Sequence, residues 1–368
     1  MKIAVLSSHT SSLFWFRIDM MKDFIKNGHT VIALGSAPEA EWKDKFREHH
    51  IDYRQLEVDR NGVNPLKDIK TFKQLQKFMK EEKPDKIFAY QAKTVVYGSI
   101  AAKITGIDEV YPLIAGLGSI FRGNGLKNRI VKTIMKAQYW TAFKCSNKVF
   151  FQNEDDRNEC IVNGLIKKEN TTIINGSGVD LEKFQPQKLP DKPTFLFIGR
   201  LIKDKGIVEY LSACSAIKEK YPDVRCLLVG PFDSNPSALK QEELEPYIKN
   251  GTIEYFGEQS DVRPFISQCS TYLLPSYHEG TPKTVLEAMA MGRPIITSDA
   301  PGCRETVNDS ENGFLVPIKD INSLTEKMEY FIFYKEMCEK MGNKSLKIAR
   351  EKYDVKIINQ SIIKTMGL

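Results

Sequence analysis

The chain has 368 residues, of which 42% are hydrophobic and 27% charged, with a formal net charge of +6. This length suggests two domains or one large α/β unit, and the composition excludes a disordered, collagenous or coiled-coil protein. No apolar run approaches the roughly 18 residues that cross a bilayer. Lys2 is followed by only four apolar residues, unlike a secretory leader, and seven cysteines never come closer than 12 apart. Reduced thiols and a cytoplasmic protein are therefore expected.

In chain order, Lys2–Ser7 reads as a strand, followed by a helical pattern over 14–27, Gly28 as a stop and a second strand at 30–34. Strands at 53–58, 86–90, 110–115, 148–151 and 171–174 then alternate with helices at 39–49, 65–82, 92–105, 128–145 and 154–163. That alternation predicts right-handed β-α-β units and a parallel sheet. Residues 181–193 hold three prolines and read as a linker. Strands at 194–199, 225–230, 253–257, 271–275, 294–297 and 313–316 follow, with helices at 206–221, 237–250, 263–269 and 283–291 between most of them. The expected division is an amino-terminal domain over 1–180, a linker over 181–193, a second domain over 194–352, and a tail over 353–368 that returns to the first domain. The fold class is α/β, with two doubly wound halves. Because such sheets bind ligands beyond the carboxyl ends of their strands, a cleft between facing halves is expected.

The charge is uneven. Residues 1–190 carry 30 basic against 22 acidic side chains, and 122–148 holds seven basic residues with no acidic one. On a helical wheel Arg129, Lys132, Lys136, Trp140 and Lys144 fall within about 120°, with Ile130, Val131, Ile134, Met135 and Ala142 opposite. This is either a core-packed helix with a solvated outer face or a contact with an anionic membrane surface, worth on the order of 1 kcal/mol per basic residue near the lipid. No nucleic-acid module accompanies it, so no nucleic-acid partner is expected.

The densest motif is Pro275-Ser276-Tyr277-His278-Glu279-Gly280-Thr281-Pro282-Lys283-Thr284-Val285-Leu286-Glu287. A strand ends, a loop carries Glu279, and a helix begins with Thr281 as its expected cap and Pro282 at its first position. A helix opening at a strand's carboxyl end points N–H groups and a positive dipole end at an anion. Glu279 and Glu287 are acceptors suited to sugar or ribose hydroxyls. A second motif, Gly199-Arg200-Leu201-Ile202-Lys203-Asp204-Lys205-Gly206, also follows an apolar strand and could neutralise a diphosphate.

On these residues the chain resembles the retaining nucleotide-sugar glycosyltransferases of family four, which have the GT-B fold. Glu279 and Glu287 match the family's E-x7-E element, and Gly199 to Gly206 match its G-R-x-x-x-x-K-G element. Pro301-Gly302-Cys303-Arg304-Glu305, Asn312-Gly313-Phe314-Leu315-Val316 and Gly176-Ser177-Gly178-Val179-Asp180 are similar too. The resemblance implies that Arg200 and Lys205 hold the donor diphosphate and stabilise the leaving group, that Glu287 binds ribose, and that Glu279 binds the transferred sugar. Gly280, Thr281, Pro282, Thr284, Val285 and Leu286 would complete the donor site, with Gln259 and Val262 near the base.

The amino-terminal half departs from the family pattern. The first strand–helix loop lacks its Gly-Gly pair, and Tyr90 stands where an H-x-P-K element has histidine. Ala115-Gly116-Leu117-Gly118-Ser119, His9 and Lys93 resemble a subgroup acting on polyprenyl-diphosphate-linked sugars. Acceptor contacts are accordingly expected from Ser8, His9, Arg17, Lys93 and Gly118, with His9 also a catalytic candidate. No D-x-D element and no H-x-H or H-x-x-x-H pair occurs, so neither a metal nor another cofactor is expected. The implied activity is a retaining transfer from a UDP-sugar, an N-acetylated hexosamine or related sugar being expected, to a polyprenyl-linked saccharide at the inner face of the plasma membrane, in capsule or other surface-glycan assembly. The alternatives are a UDP-sugar epimerase of the same fold and a non-catalytic nucleotide-sugar-binding partner.

Overall fold

The computed structural model describes residues 1–59, 64–117, 126–233, 235 and 237–368, with 126–128 described by their backbone. The chain divides into two compact units, Met1–Ser177 with Ile358–Leu368, and Gly178–Ile357. The division falls before the expected boundary at 180. The stretch expected as a linker is a packed part of the second unit: Phe184 lies in its core, and Arg293 donates to the carbonyls of Gln187 and Lys188.

The first unit runs β1 (Lys2–Ser7), α1 (Thr10–Lys26), β2 (Thr30–Gly35), α2 (Glu39–Arg47), β3 (Asp52–Gln55), α3 (Pro65–Glu82), β4 (Lys86–Tyr90), α4 (Ala92–Ile104), β5 (Val110–Ile114), α5 (Leu126–Lys144), β6 (Val149–Phe151), α6 (Glu154–Val162) and β7 (Thr171–Ile173). All seven strands are parallel, in the order β3-β2-β1-β4-β5-β6-β7. The two-residue period of a strand sends Ile3 and Val5 to one face and Ala4 and Leu6 to the other, and both faces are buried. One face packs Leu13, Met20 and Phe24 of α1 with Phe46 of α2; the other packs Leu75 and Met79 of α3 with Ala101 and Ala102 of α4. Side-chain caps fix helix starts at Asn64 for α3 and Asn153 for α6.

The second unit runs β8 (Thr194–Ile198), a 3-10 turn (Lys203–Lys205), α7 (Ile207–Lys220), β9 (Arg225–Val229), α8 (Gln241–Lys249), β10 (Glu254–Tyr255), α9 (Arg263–Gln268), β11 (Thr271–Leu274), α10 (Lys283–Ala290), β12 (Ile295–Ser298), β13 (Gly313–Val316), α11 (Ile321–Phe333) and α12 (Lys335–Lys352). Its six parallel strands lie in the order β10-β9-β8-β11-β12-β13. In both sheets the order reverses beside the first strand of the unit, and the loops leaving that strand and its later neighbour hold the motifs described above. Helix α13 (Val355–Met366) starts in the second unit, and from Ile358 onward belongs to the first, where Ile358, Ile362 and Met366 join the α1 face of the core.

Candidate functional site

In the second unit, the loops after β8 and β11 are locked together. Gly206, at φ 76°, lies so close to the other loop that a Cβ would sit 2.1 Å from the Pro275 carbonyl oxygen. The Tyr277 N–H donates to the Asp204 carbonyl at 2.9 Å, and the Ser276 hydroxyl lies 3.0 Å from that same oxygen and 2.8 Å from Glu279 Oε1. Lys205 Nζ and Glu279 Oε1 are thereby brought to 2.5 Å. From below, the Glu279 N–H donates to the Pro301 carbonyl at 2.9 Å. Gly302 comes so near that a Cβ there would lie 2.2 Å from the Glu279 carbonyl oxygen. The spacing of the glycines in these motifs is thus a packing requirement of the loop pair.

Arg200 leaves the same β8 loop and pairs with Asp233 at 2.8 Å. Helix α10 begins one residue later than expected, with Pro282 as its cap residue. Proline can occupy that position because no N–H is required of it there. Thr284 Oγ1 accepts from the Tyr272 hydroxyl at 2.7 Å and lies near the end of β8, 3.4 Å from the Ile198 carbonyl. Val285 and Leu286 have their side chains wholly in the core, so only their backbone could face a ligand. Glu287, one turn further, is 7% exposed. Burial pushes its carboxyl up to about 7, opposed by the charges of Lys283 and Lys183 and reinforced by Asp261, and no hydrogen bond to it is made among the described residues. Gln259 is exposed, its amide donating to the Phe256 carbonyl, and Val262 starts α9 against the core.

In the first unit, His9 caps α1, its Nδ1 accepting from the Ser12 N–H at 3.2 Å and sharing a hydrogen with the Ser11 hydroxyl at 3.0 Å. That bond places the neutral ring's proton on Nε2. Ser8 donates to Gln91 Oε1 at 2.7 Å, and Ser7 to the same oxygen at 3.0 Å. Lys93, expected as an acceptor contact, is instead paired with Asp68 at 2.6 Å, with both side chains largely buried. Asp68 also accepts from the Tyr97 hydroxyl, so the lysine serves the α3–α4 packing. Arg17 is buried beside Tyr90. Gly118 lies outside the described residues.

Several participants were not legible in the sequence. Asp233 lies 33 residues from Arg200 in a loop with no motif, so nothing announced the pairing. Gln91 takes φ 73° and ψ 144°, a conformation that side chains resist, with only its place between a strand and a helix as a clue. The wheel for α5 placed Ile130 and Ile134 on the inner side. In the structure both are half-exposed, as is Trp140, while Lys132 turns to Glu159 and Lys136 to Asn163. The core of that helix is Tyr139, Ala142 and Phe143, so its outer face is mixed apolar and basic.

Comparison with known proteins supplies the family. Residues 179–348 match the model "Glycosyl transferases group 1", and residues 2–153 match "Glycosyl transferase 4-like". An N,N'-diacetylbacillosaminyl-diphospho-undecaprenol alpha-1,3-N-acetylgalactosaminyltransferase of Campylobacter jejuni is 29% identical, covering 99% of this chain and 98% of its own. A UDP-Gal:alpha-D-GlcNAc-diphosphoundecaprenol alpha-1,3-galactosyltransferase of Escherichia coli is 28% identical over 71% of this chain and 70% of its own. Among solved structures, Anabaena HepE in complex with UDP and glucose aligns with a TM-score of 0.78 at 20% identity, covering 100% of this chain and 99% of that one. Sucrose-phosphate synthase of Thermosynechococcus elongatus aligns with a TM-score of 0.81 at 18% identity, covering 99% and 98%. At such identities the structures speak for the fold, two Rossmann-like units of the GT-B type. Residues 179–348 thus carry a group 1 glycosyltransferase domain and residues 2–153 a glycosyltransferase 4-like domain, with the motif residues assembled at the ends of β8 and β11.

Proposed function

We propose that this glycosyltransferase moves a sugar, an N-acetylated hexosamine or a related one, from a UDP-sugar to a polyprenyl-diphosphate-linked saccharide, with retention of anomeric configuration and without a metal. The observation that carries the donor assignment is the convergence of Arg200, Lys205, Glu279 and Glu287 on the loops and helix start that follow β8 and β11. Two cations beside a helix start suit a diphosphate, and that charge must be met as the sugar departs. Glu287 is a buried acceptor suited to ribose hydroxyls, and Glu279 a carboxylate for the sugar. The chemistry breaks the bond from the anomeric carbon to the diphosphate oxygen and forms one to the acceptor oxygen on the same face. The acceptor's proton passes to the departing diphosphate. Support for the acceptor comes from the two diphosphoundecaprenol-directed relatives.

A lipid-linked acceptor requires the enzyme to meet a membrane. No helix among the described residues is long and apolar enough to cross one. The outer face of α5 offers Ile130, Ile134 and Trp140, 48–55% exposed, among Arg129 and Lys144. Helix α3 adds Leu66 and Ile69, 77% and 51% exposed, and both helices pack on α4. Apolar side chains interleaved with basic ones are the composition of an interfacial contact. On this reading the enzyme works at the inner membrane face.

A thermal-shift series with UDP, GDP and their sugars, with and without EDTA, tests the donor side. Stabilisation by UDP or one UDP-sugar that survives EDTA is the expected result. Selective response to GDP, or a response abolished by EDTA, overturns the donor or the metal-free part respectively. Transfer to a short-chain lipid-diphosphate saccharide, with the product's anomeric configuration read by NMR, tests the rest; an inverted product rules out retention.

A further inference from the structure

The buried stripe of α1 runs through Thr10, Leu13, Arg17, Met20, Met21 and Phe24, so a charged side chain occupies a position where the helix needs an apolar one. Arg17 is 3% exposed. Among the described residues no carboxylate pairs with it and no carbonyl accepts from it, and its Nε is sealed from solvent without a partner. Its one electrostatic neighbour is the ring of Tyr90, with the guanidinium carbon 5.3 Å from the centroid. A ring face compensates a desolvated cation only in part. Burial pulls Arg17 down to about 10, which leaves it charged at neutral pH. An arginine that is buried, charged and unbalanced is stable only because the surrounding fold holds it there, and an arriving anion would relieve it.

Its surroundings are those of a ligand site. Tyr90 ends β4 opposite Ser7 of β1, at the carboxyl edge of the sheet where its strand order reverses. The Tyr90 hydroxyl reaches the Ser12 hydroxyl at 3.4 Å. The next residue is Gln91, held in its resisted conformation with its side chain tied to Ser7 and Ser8, and α4 starts directly after it without a side-chain cap. Backbone strain of this kind collects at functional sites.

We propose that Arg17 is the anion-recognition residue of the first unit and that the diphosphate of the lipid-linked acceptor is its counter-charge. The inference rests on the acceptor reading given above. Arg17 is thus a specificity residue, selecting acceptors that carry a phosphorylated anchor over the same saccharide without one. A planar fork of donors fits a phosphate in two-point contact.

The test is a binding measurement on the full chain, run with UDP saturating so that the donor-site cations are occupied, and repeated without UDP. The probes are a short-chain prenyl diphosphate, the corresponding prenyl alcohol and inorganic diphosphate. The prenyl diphosphate is expected to bind at least 30-fold more weakly to Arg17→Met than to the unsubstituted protein, while the alcohol binds both alike. Arg17→Met is also expected to melt no lower than the unsubstituted protein, because an unbalanced buried charge has been removed. In the unsubstituted protein, inorganic diphosphate should displace the prenyl diphosphate. Equal prenyl-diphosphate affinities, an equal loss with the alcohol, or a failure of inorganic diphosphate to compete would each overturn the proposal, and the last needs no variant to fold. UDP affinity separates the two readings. Loss of UDP binding in the unsubstituted protein counts against the donor site, whereas intact UDP binding with no Arg17 effect counts against this inference alone.

Discussion

Glu287 sits where a carboxylate is costly, and on the proposed reading its protonation couples donor binding to pH. Its folded value of about 7 lies above the ordinary 4.5, so between those values the folded protein holds a proton that the unfolded chain has lost. The stability this group contributes is therefore full below pH 4.5 and is lost as pH rises through 7. Donor binding should run the other way, since ribose hydroxyls donate best to an ionised carboxylate. UDP affinity measured calorimetrically should fall as pH drops below 7, and Glu287→Gln should flatten that dependence; an unchanged slope in the variant would detach Glu287 from the ribose. The Lys205–Glu279 pair makes a different prediction. Lys205→Ala should lower kcat by roughly 100- to 1,000-fold and weaken UDP binding, as expected for loss of leaving-group stabilisation. Glu279→Gln should depress turnover strongly while UDP affinity stays nearly intact, which steady-state kinetics and titration together would decide.

At the scale of elements, strands and helices were legible because both sheets are buried on both faces and announce themselves as short apolar runs between amphipathic stretches. The strands came within one or two residues, except at β3 and β10, where the structure has strands of four and two residues in place of longer expected runs. The pairing of the loops after β8 and β11 was legible because their glycines, proline and charges are local in sequence. What escaped is what depends on distant partners: Lys93 finds Asp68, Arg200 finds Asp233, and the inner and outer sides of α5 are set by α4 and α6 rather than by its own periodicity. Arg293 is the extreme case. It is fully buried and donates to the carbonyls of Ile266 and Ser267 at the end of α9 and to those of Gln187 and Lys188 in the proline-rich stretch. Its replacement by methionine takes a donor from four carbonyls at once, of which, among the described residues, only that of Ile266 keeps a bond, from the Cys269 N–H. A loss of about 3 kcal/mol is expected, read as a drop of roughly 10 °C in the melting midpoint.

For the whole molecule, the membrane reading makes a prediction that charge alone would not. Lys132 and Lys136 are engaged by α6, so the exposed apolar residues should matter as much as the basic ones. Ile130→Ser with Ile134→Ser is expected to reduce co-sedimentation with anionic vesicles several-fold even at low salt, where purely electrostatic adsorption would persist. Retention equal to the unsubstituted protein would move the contact elsewhere.

The tail from Ile358 has a further consequence, for synthesis. Because Ile358, Ile362 and Met366 complete the core beside α1, the first unit is assembled from both ends of the described chain, and the second is an insertion within it. On the ribosome all of the second unit emerges before the residues that close the first. The second unit can therefore mature while the first waits with an apolar face uncovered. A nascent chain arrested or clipped just before Ile358 would carry a finished second unit beside an unfinished first one, a species prone to bind chaperones.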